Sequence, residues 1–114
     1  MKRRFRLHRA SDFVRLRHEG REYRHPFLTV RLAPNGLSYN RYGFVVAGRL
    51  GKAVVRNKVR RRMREATRLL HPNLVPGYDV ILIARLPMVG QPFEKMQRAI
   101  SAILHQAAIM NEKR

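Results

Sequence analysis

The chain has no cysteine and no tryptophan, and only seven acidic residues stand against 25 lysines and arginines. Each scarcity excludes something. Without cysteine there is neither a disulfide framework nor a thiolate zinc site. No apolar run approaches the roughly 20 residues needed to span a bilayer as a helix. The basic start, Met1-Lys2-Arg3-Arg4-Phe5-Arg6, lacks the apolar stretch of a secretory signal. The acids (Asp12, Glu19, Glu22, Glu65, Asp79, Glu94 and Glu112) are too dispersed for the clustered carboxylates of a two-metal phosphodiesterase. Asp79 sits in an apolar stretch and reads as a buried structural carboxylate. The histidines (His8, His18, His25, His71 and His105) show no metal-ligand spacing, and no Walker-type or Gly-x-Gly-x-x-Gly loop occurs. Nothing in the chain is equipped for catalysis by itself.

What remains is charge on an ordinary globular frame. The net charge is +18, yet 45% of the residues are hydrophobic, so the charge does not arise from a disordered composition. At 114 residues there is room for one core and one domain, 1–114. Residues 1–9 read as a solvated basic arm and 111–114 as a frayed tail. Self-repulsion at this charge destabilises the compact state, and an anionic partner relieves it.

The charge is concentrated in the run from Gly51 to Leu70, which holds eight cations and one acid, Glu65. On a helix at about 100° per residue, Val55, Val59, Met63, Ala66, Leu69 and Leu70 share one arc. Arg56, Asn57, Arg60, Arg61, Arg64 and Arg68 share the opposite one, and Arg62 snorkels at the core edge. A basic tail has no such phase, so this is a rigid cationic ridge and its partner a rigid polyanion. Arg49 and Lys52 flank the helix start, where free backbone N–H groups also favour anions.

The rest of the chain falls into short elements. Ser11 is expected to cap a first helix that Gly20 closes in a left-handed conformation. Tyr23 to Ala33 reads as extended, with Leu28, Val30 and Leu32 on one side and Phe27, Thr29 and Arg31 on the other. Pro34-Asn35-Gly36 is a turn, Arg41 to Ala47 a second strand, and Gly48 to Lys52 a flexible connector. After the basic helix, Tyr78 to Ala84 reads as a strand covered on both faces, and Pro87 to Pro92 as a loop. Phe93, Met96, Ile100, Ile103, Leu104 and Ala107 mark an amphipathic closing helix. The order is α-β-β-α-β-α, with one extra short strand possible around Tyr23: an α+β, small two-layer sandwich of a mixed sheet with helices packed on it.

Ala53, Arg56-Asn57-Lys58, Val59, Arg60-Arg61 and Arg64-Glu65 match, in register, the arginine-rich signature of the protein component of bacterial ribonuclease P. Asp12-Phe13 followed by Gly20, Pro26-Phe27, Gly43-Phe44-Val45-Val46 and Tyr78 to Arg85 extend the resemblance over nearly the whole chain. The resemblance implies a fold similar to the second domain of ribosomal protein S5, its strand–helix–strand unit crossing over left-handed against the usual rule. It also implies that catalysis and its magnesium belong to an RNA subunit. The protein, with no cofactor of its own, then binds that RNA and the 5′ leader of precursor tRNA in the cytoplasm, needing neither membrane nor protein partner.

The RNA-binding candidates are Arg49, Lys52, Arg56, Asn57, Lys58, Arg60, Arg61, Arg64 and Arg68. Asn57 enters by family analogy. A second candidate surface, a leader cleft, combines Phe13 and Arg17 of the first helix with Phe27 and Arg31 of the first strand, because bases stack on rings while the backbone meets charge. Where the family carries a second aromatic this chain has Arg17, and Val30 stands near a family Tyr, which makes the groove more electrostatic. The rival readings are a small basic ribosomal or other structural RNA-binding protein, and a helix-turn-helix DNA binder. The Arg56-Asn57-Lys58 triplet within an apolar-phased helix argues against the first, and the strands against the second.

Overall fold

Alternation in Leu28-Thr29-Val30-Arg31-Leu32 divides the molecule into two sides. The leucines and the valine are buried, while Thr29 and Arg31 face the other way and stay half-exposed. The computed structural model describes residues 2–7 and 9–110; the expected frayed tail, 111–114, lies outside them. Among the described residues the elements are α1 (Ala10–Glu19), β1 (Arg21–Arg24), β2 (Leu28–Pro34), β3 (Arg41–Val45), α2 (Ala53–Leu70), β4 (Tyr78–Ala84) and α3 (Phe93–Gln106). They form one four-stranded sheet in the order β1-β2-β4-β3. β4 lies antiparallel to β2 and parallel to β3. The expected mixed sheet with helices packed on it is present, and the extra strand is β1.

The main core lies between the sheet and the pair α2–α3. Leu28, Val30 and Leu32 of β2, Val80, Leu82 and Ala84 of β4, and Tyr42 of β3 meet Val59, Met63 and Ala66 of α2 and Met96, Ile100, Ile103 and Leu104 of α3. Central β4 is apolar on both sides because its other face is also covered. There Ile81 and Ala33 pack with Leu7 and Leu16 of α1 in a second, smaller core.

Local expectations are revised at six points. Gly20 is not left-handed, having φ −75°. A Cβ there would lie 2.5 Å from the Leu16 carbonyl oxygen, so glycine is needed for space. The C-terminal carbonyls of α1 are capped with the help of a side chain: Arg31 donates to Arg17 O at 2.6 Å and, at 3.1 Å, to Leu16 O, which also accepts from Gly20 N at 2.9 Å. At the other end α1 begins at Ala10 with no side-chain cap from Ser11. The extended stretch breaks at His25, where a tight turn joins β1 to β2. His25 and Leu28 exchange backbone hydrogen bonds, and His25 Nδ1 accepts from Phe27 N at 3.0 Å.

The connector before α2 is a 3₁₀ turn, Gly48–Leu50, anchored by buried Leu50. On α2 itself Leu69 is exposed and Thr67 takes a buried place, its hydroxyl satisfied by Met63 O at 2.9 Å. Finally, the described part of the N-terminal arm is docked. Arg3–Phe5 form a 3₁₀ turn, Arg6 bridges Tyr42 on β3, and Leu7 is buried with its N–H on Tyr42 O at 2.7 Å.

Candidate nucleic-acid interface

α2 runs back along the edge strand β3, because its middle lies beside Phe44 and its end beside Tyr42. Arg64 sits over the Phe44 ring at 5.8 Å, and His71, just past the helix, touches Tyr42. At 18 residues the helix is about 27 Å long at 1.5 Å per residue. Along it the cations occupy more than one face. Arg56, Arg60 and Arg64 are half-buried on the flank toward β3, while Asn57, Arg61 and Arg68 are exposed. Lys58 is exposed on the other flank, next to Arg62, whose Nη1 reaches Gln91 O at 3.2 Å as a snorkelling side chain does. Arg49 and Lys52 are exposed at the helix start.

Several of these groups are already held in position. Arg56 Nε donates to Gly51 O at 3.0 Å, and Arg60 Nη1 to Asn57 Oδ1 at 2.8 Å. Asn57 thereby orients a neighbouring guanidinium. Arg68 is bound to Glu65 by two hydrogen bonds, which lowers the Glu65 pKa and raises that of Arg68. Arg64 is different. Its Nε is buried with no hydrogen-bond partner. Burial first, then repulsion from Arg6 and Arg60, pulls its pKa below the ordinary arginine value. An acceptor beside Arg64 would be favourable, which makes the spot a seat for phosphate.

The sheet face beside α1 is the other candidate surface. α1 covers only part of it, resting Leu16 and the half-buried Phe13 on Ile81 and Ala33. Phe13 lies over Gly43, where a Cβ would come within 2.8 Å of its ring. The next row across the sheet, Thr29–Ile83–Val45, remains half-exposed. Since β3 and β4 are parallel, their ends place Arg49 and Arg85 at the same side of this floor, and Arg85 Nη1 donates to His25 O at 3.1 Å.

The four side chains expected to share a cleft do not converge. Phe13 forms part of the floor and Arg17 is exposed on α1. Arg31 is committed to the end of α1 and to an ion pair with Glu22. Phe27 lies in the β1–β2 turn, released from strand alternation. It packs against the main core beside His25, with ring centroids 5.3 Å apart.

Among the described residues, Asp12, Glu19, Glu22, Glu65 and Asp79 are paired with arginines. Asp79 is fully buried and accepts from Arg15 at 2.5 Å, from Arg41 Nε and Nη2 at 2.9 and 2.7 Å, and from Asn35 at 3.0 Å. Asp12 of α1 also reaches Arg41, at 3.6 Å. This network ties α1 and the β2–β3 turn to the ends of β3 and β4. Sequence reasoning placed the buried carboxylate but missed its partners, because Arg15, Asn35 and Arg41 share no spacing with Asp79. Among the described residues no three His, Cys, Asp or Glu side chains come together as metal ligands would.

The family model for ribonuclease P matches residues 1–108. The chain belongs to the ribonuclease P protein family. It is 42% identical over 111 residues to the ribonuclease P protein component of Roseiflexus castenholzii, covering 96% of this chain and 91% of that one. Identity to the component from Chloroflexus aurantiacus is 45% over 111 residues, covering 96% and 82% of the two chains. The fold is that of solved family members. The Staphylococcus aureus RNase P protein superposes with a TM-score of 0.86 at 29% identity, over 94% of this chain and 98% of that one. The Thermotoga maritima protein gives 0.83 at 28% identity, over 89% and 96%. Family membership makes the chain a ribonuclease P component in tRNA processing.

Proposed function

We propose that this chain is the RNA-binding subunit of a bacterial cytoplasmic ribonuclease P, a ribonucleoprotein whose RNA carries both the catalytic chemistry and the magnesium. α2 seats the protein on that RNA. The open sheet face beside α1 receives the 5′ leader of precursor tRNA during endonucleolytic removal of the leader.

The observation that carries this reading is Arg64 of α2, whose buried Nε has no hydrogen-bond partner and whose pKa is lowered by burial and by the like charges of Arg6 and Arg60. A solvated charged face mixes signs and hydrates its cations; this one buries an arginine nitrogen without an acceptor, a cost that a phosphate removes. Neutralising phosphates where two large RNAs meet also lowers their mutual repulsion, which is the physical service such a subunit provides. The leader cleft rests on the half-exposed Thr29–Ile83–Val45 floor, on Phe13 and Arg17 at its α1 side, and on Arg49 and Arg85 at its end.

The test is cleavage of precursor tRNA at low magnesium by a bacterial ribonuclease P RNA, with and without the protein, and by the protein alone. Cleavage at the mature 5′ end only when both are present supports the reading. Failure to rescue, with general RNA binding intact, points to a structural RNA-binding protein instead. Cleavage by the protein alone would overturn the placement of catalysis in RNA.

A further inference from the structure

Beyond the far end of the ridge, where α2 gives way to the 3₁₀ turn His71–Asn73, the docked N-terminal segment leaves a recess of about 420 Å³ lined by Lys2, Phe5, Arg68 and His71. That volume falls within the roughly 300–1,000 Å³ of small-ligand sites. Its two rings are neighbours, with centroids 4.7 Å apart. Neither is loosely held. His71 Nδ1 shares a 2.7 Å hydrogen bond with the hydroxyl of Tyr42, which is itself buried. Phe5 rests edge-on to Tyr39 at 5.8 Å, beneath the Arg4 guanidinium at 4.9 Å. Two cations, Lys2 and Arg68, flank the rings, and Arg68 is at the same time held in place by Glu65.

We propose that this recess takes one unpaired nucleotide of RNA, its base against Phe5 and His71 and its phosphate between Lys2 and Arg68. Flat rings fixed by their own contacts suit any base face, and cations at the rim suit the backbone that carries it. Arg68 belongs to both the recess and the outer face of α2, so the nucleotide continues the track that the helix lays down. Burial lowers the His71 pKa, which favours the neutral ring at physiological pH. The inference rests on the reading of α2 as an RNA ridge and adds an aromatic stop at its end.

Two measurements test it. The first titrates isotope-labelled protein with adenosine 5′-monophosphate as the probe; the ring resonances of His71 and Phe5 should move. The second measures affinity for ribonuclease P RNA over a salt series. Phe5→Leu keeps an apolar side chain in the packing but removes the π face, so it should weaken binding about tenfold at every salt, without changing the slope. Phe5→Tyr should bind as the parent does, and Lys2→Ala should lower the slope by about 0.7 to 0.9. Unmoved ring signals, a Phe5→Leu variant as tight as the parent, or Phe5→Tyr as weak as Phe5→Leu would each overturn the site. The Arg60→Ala/Arg64→Ala variant separates the two readings. If it binds normally the ridge itself fails; if it is weak while Phe5→Leu is not, the recess alone fails.

Discussion

Replacing Asp79 by Asn keeps the shape of the side chain and removes its charge from a site with no access to water. In the native protein that carboxylate is fully buried and receives four hydrogen bonds from Arg15, Arg41 and Asn35. The amide retains one acceptor oxygen but turns an NH2 toward groups that are themselves donors. Removing one member of a buried ion pair costs about 3–5 kcal/mol, because its partner is left uncompensated. Here the side chains of Arg15 and Arg41 remain 29% and 24% exposed, so both recover some hydration. We therefore expect about 3 kcal/mol, the low end of that range.

At about 4 °C per kcal/mol for a domain of this size, the thermal midpoint falls by about 12 °C. Urea unfolding followed by circular dichroism at moderate salt gives the free energy directly, and an unchanged m-value shows that the two end states are comparable. The cycle with Arg41→Met then isolates the interaction. Arg41→Met should cost about 1–3 kcal/mol less in the Asp79→Asn background than in the parent. A loss below about 1 kcal/mol for Asp79→Asn, or strict additivity with Arg41→Met, would refute the argument that this network fastens α1 to the sheet.

The remaining predictions probe the two surfaces and the titrating core. The Arg60→Ala/Arg64→Ala variant should bind ribonuclease P RNA more weakly, with the salt slope flattened by up to about 0.7 to 0.9 per lost phosphate contact; filter binding across a potassium series reads both quantities. Gly43→Ala pushes a methyl to within 2.8 Å of the tip of Phe13 and must displace that ring. In the holoenzyme it should weaken precursor tRNA relative to leaderless tRNA, and an unchanged affinity ratio counts against Phe13 as cleft floor. Burial lowers the His71 pKa from its ordinary 6.5, so the unfolded chain binds the proton more readily. The resulting stability is full above about pH 6.5 and is lost as pH falls through the lower folded value, a slope that His71→Gln should reduce in urea midpoints. Tyr42 is pushed up to about 12 by burial and favours the neutral phenol, so this contribution is full below pH 10 and fades as pH rises toward 12. Ultraviolet titration should show one of the four tyrosines ionising late, and Tyr42→Phe should abolish that phase.

Periodicity carried the reading wherever one face of an element is buried over its whole length. Leu28-Val30-Leu32 and the stretch from Tyr78 to Ala84 were legible for that reason, and so was the phase of α2 from Val59 to Ala66. It failed where a contact made far along the chain decides the local conformation. Gly20 looks like a left-handed helix end, yet it closes the helix in an extended conformation, with Arg31 arriving from the neighbouring strand to cap the last carbonyls beside it. The same arginine was expected in the leader cleft by strand parity; parity gives the side of the sheet correctly, but not that the guanidinium is already bound there. Phe27 departs for the opposite reason. A single turn at Pro26 frees it from alternation, and its ring joins the other core.

The N-terminal arm is the instructive case for function. As a string of Lys and Arg it reads as a solvated tail, and nothing in its spacing reveals that Leu7 and Phe5 fasten it to β3. Once fastened, Arg6 is brought beside Arg64, and Phe5 beside His71. The like charge beside Arg64 and the aromatic recess therefore both depend on two apolar residues in a segment that carries five lysines and arginines in nine positions. Charge shows which kind of partner the protein takes; those two side chains decide where it sits.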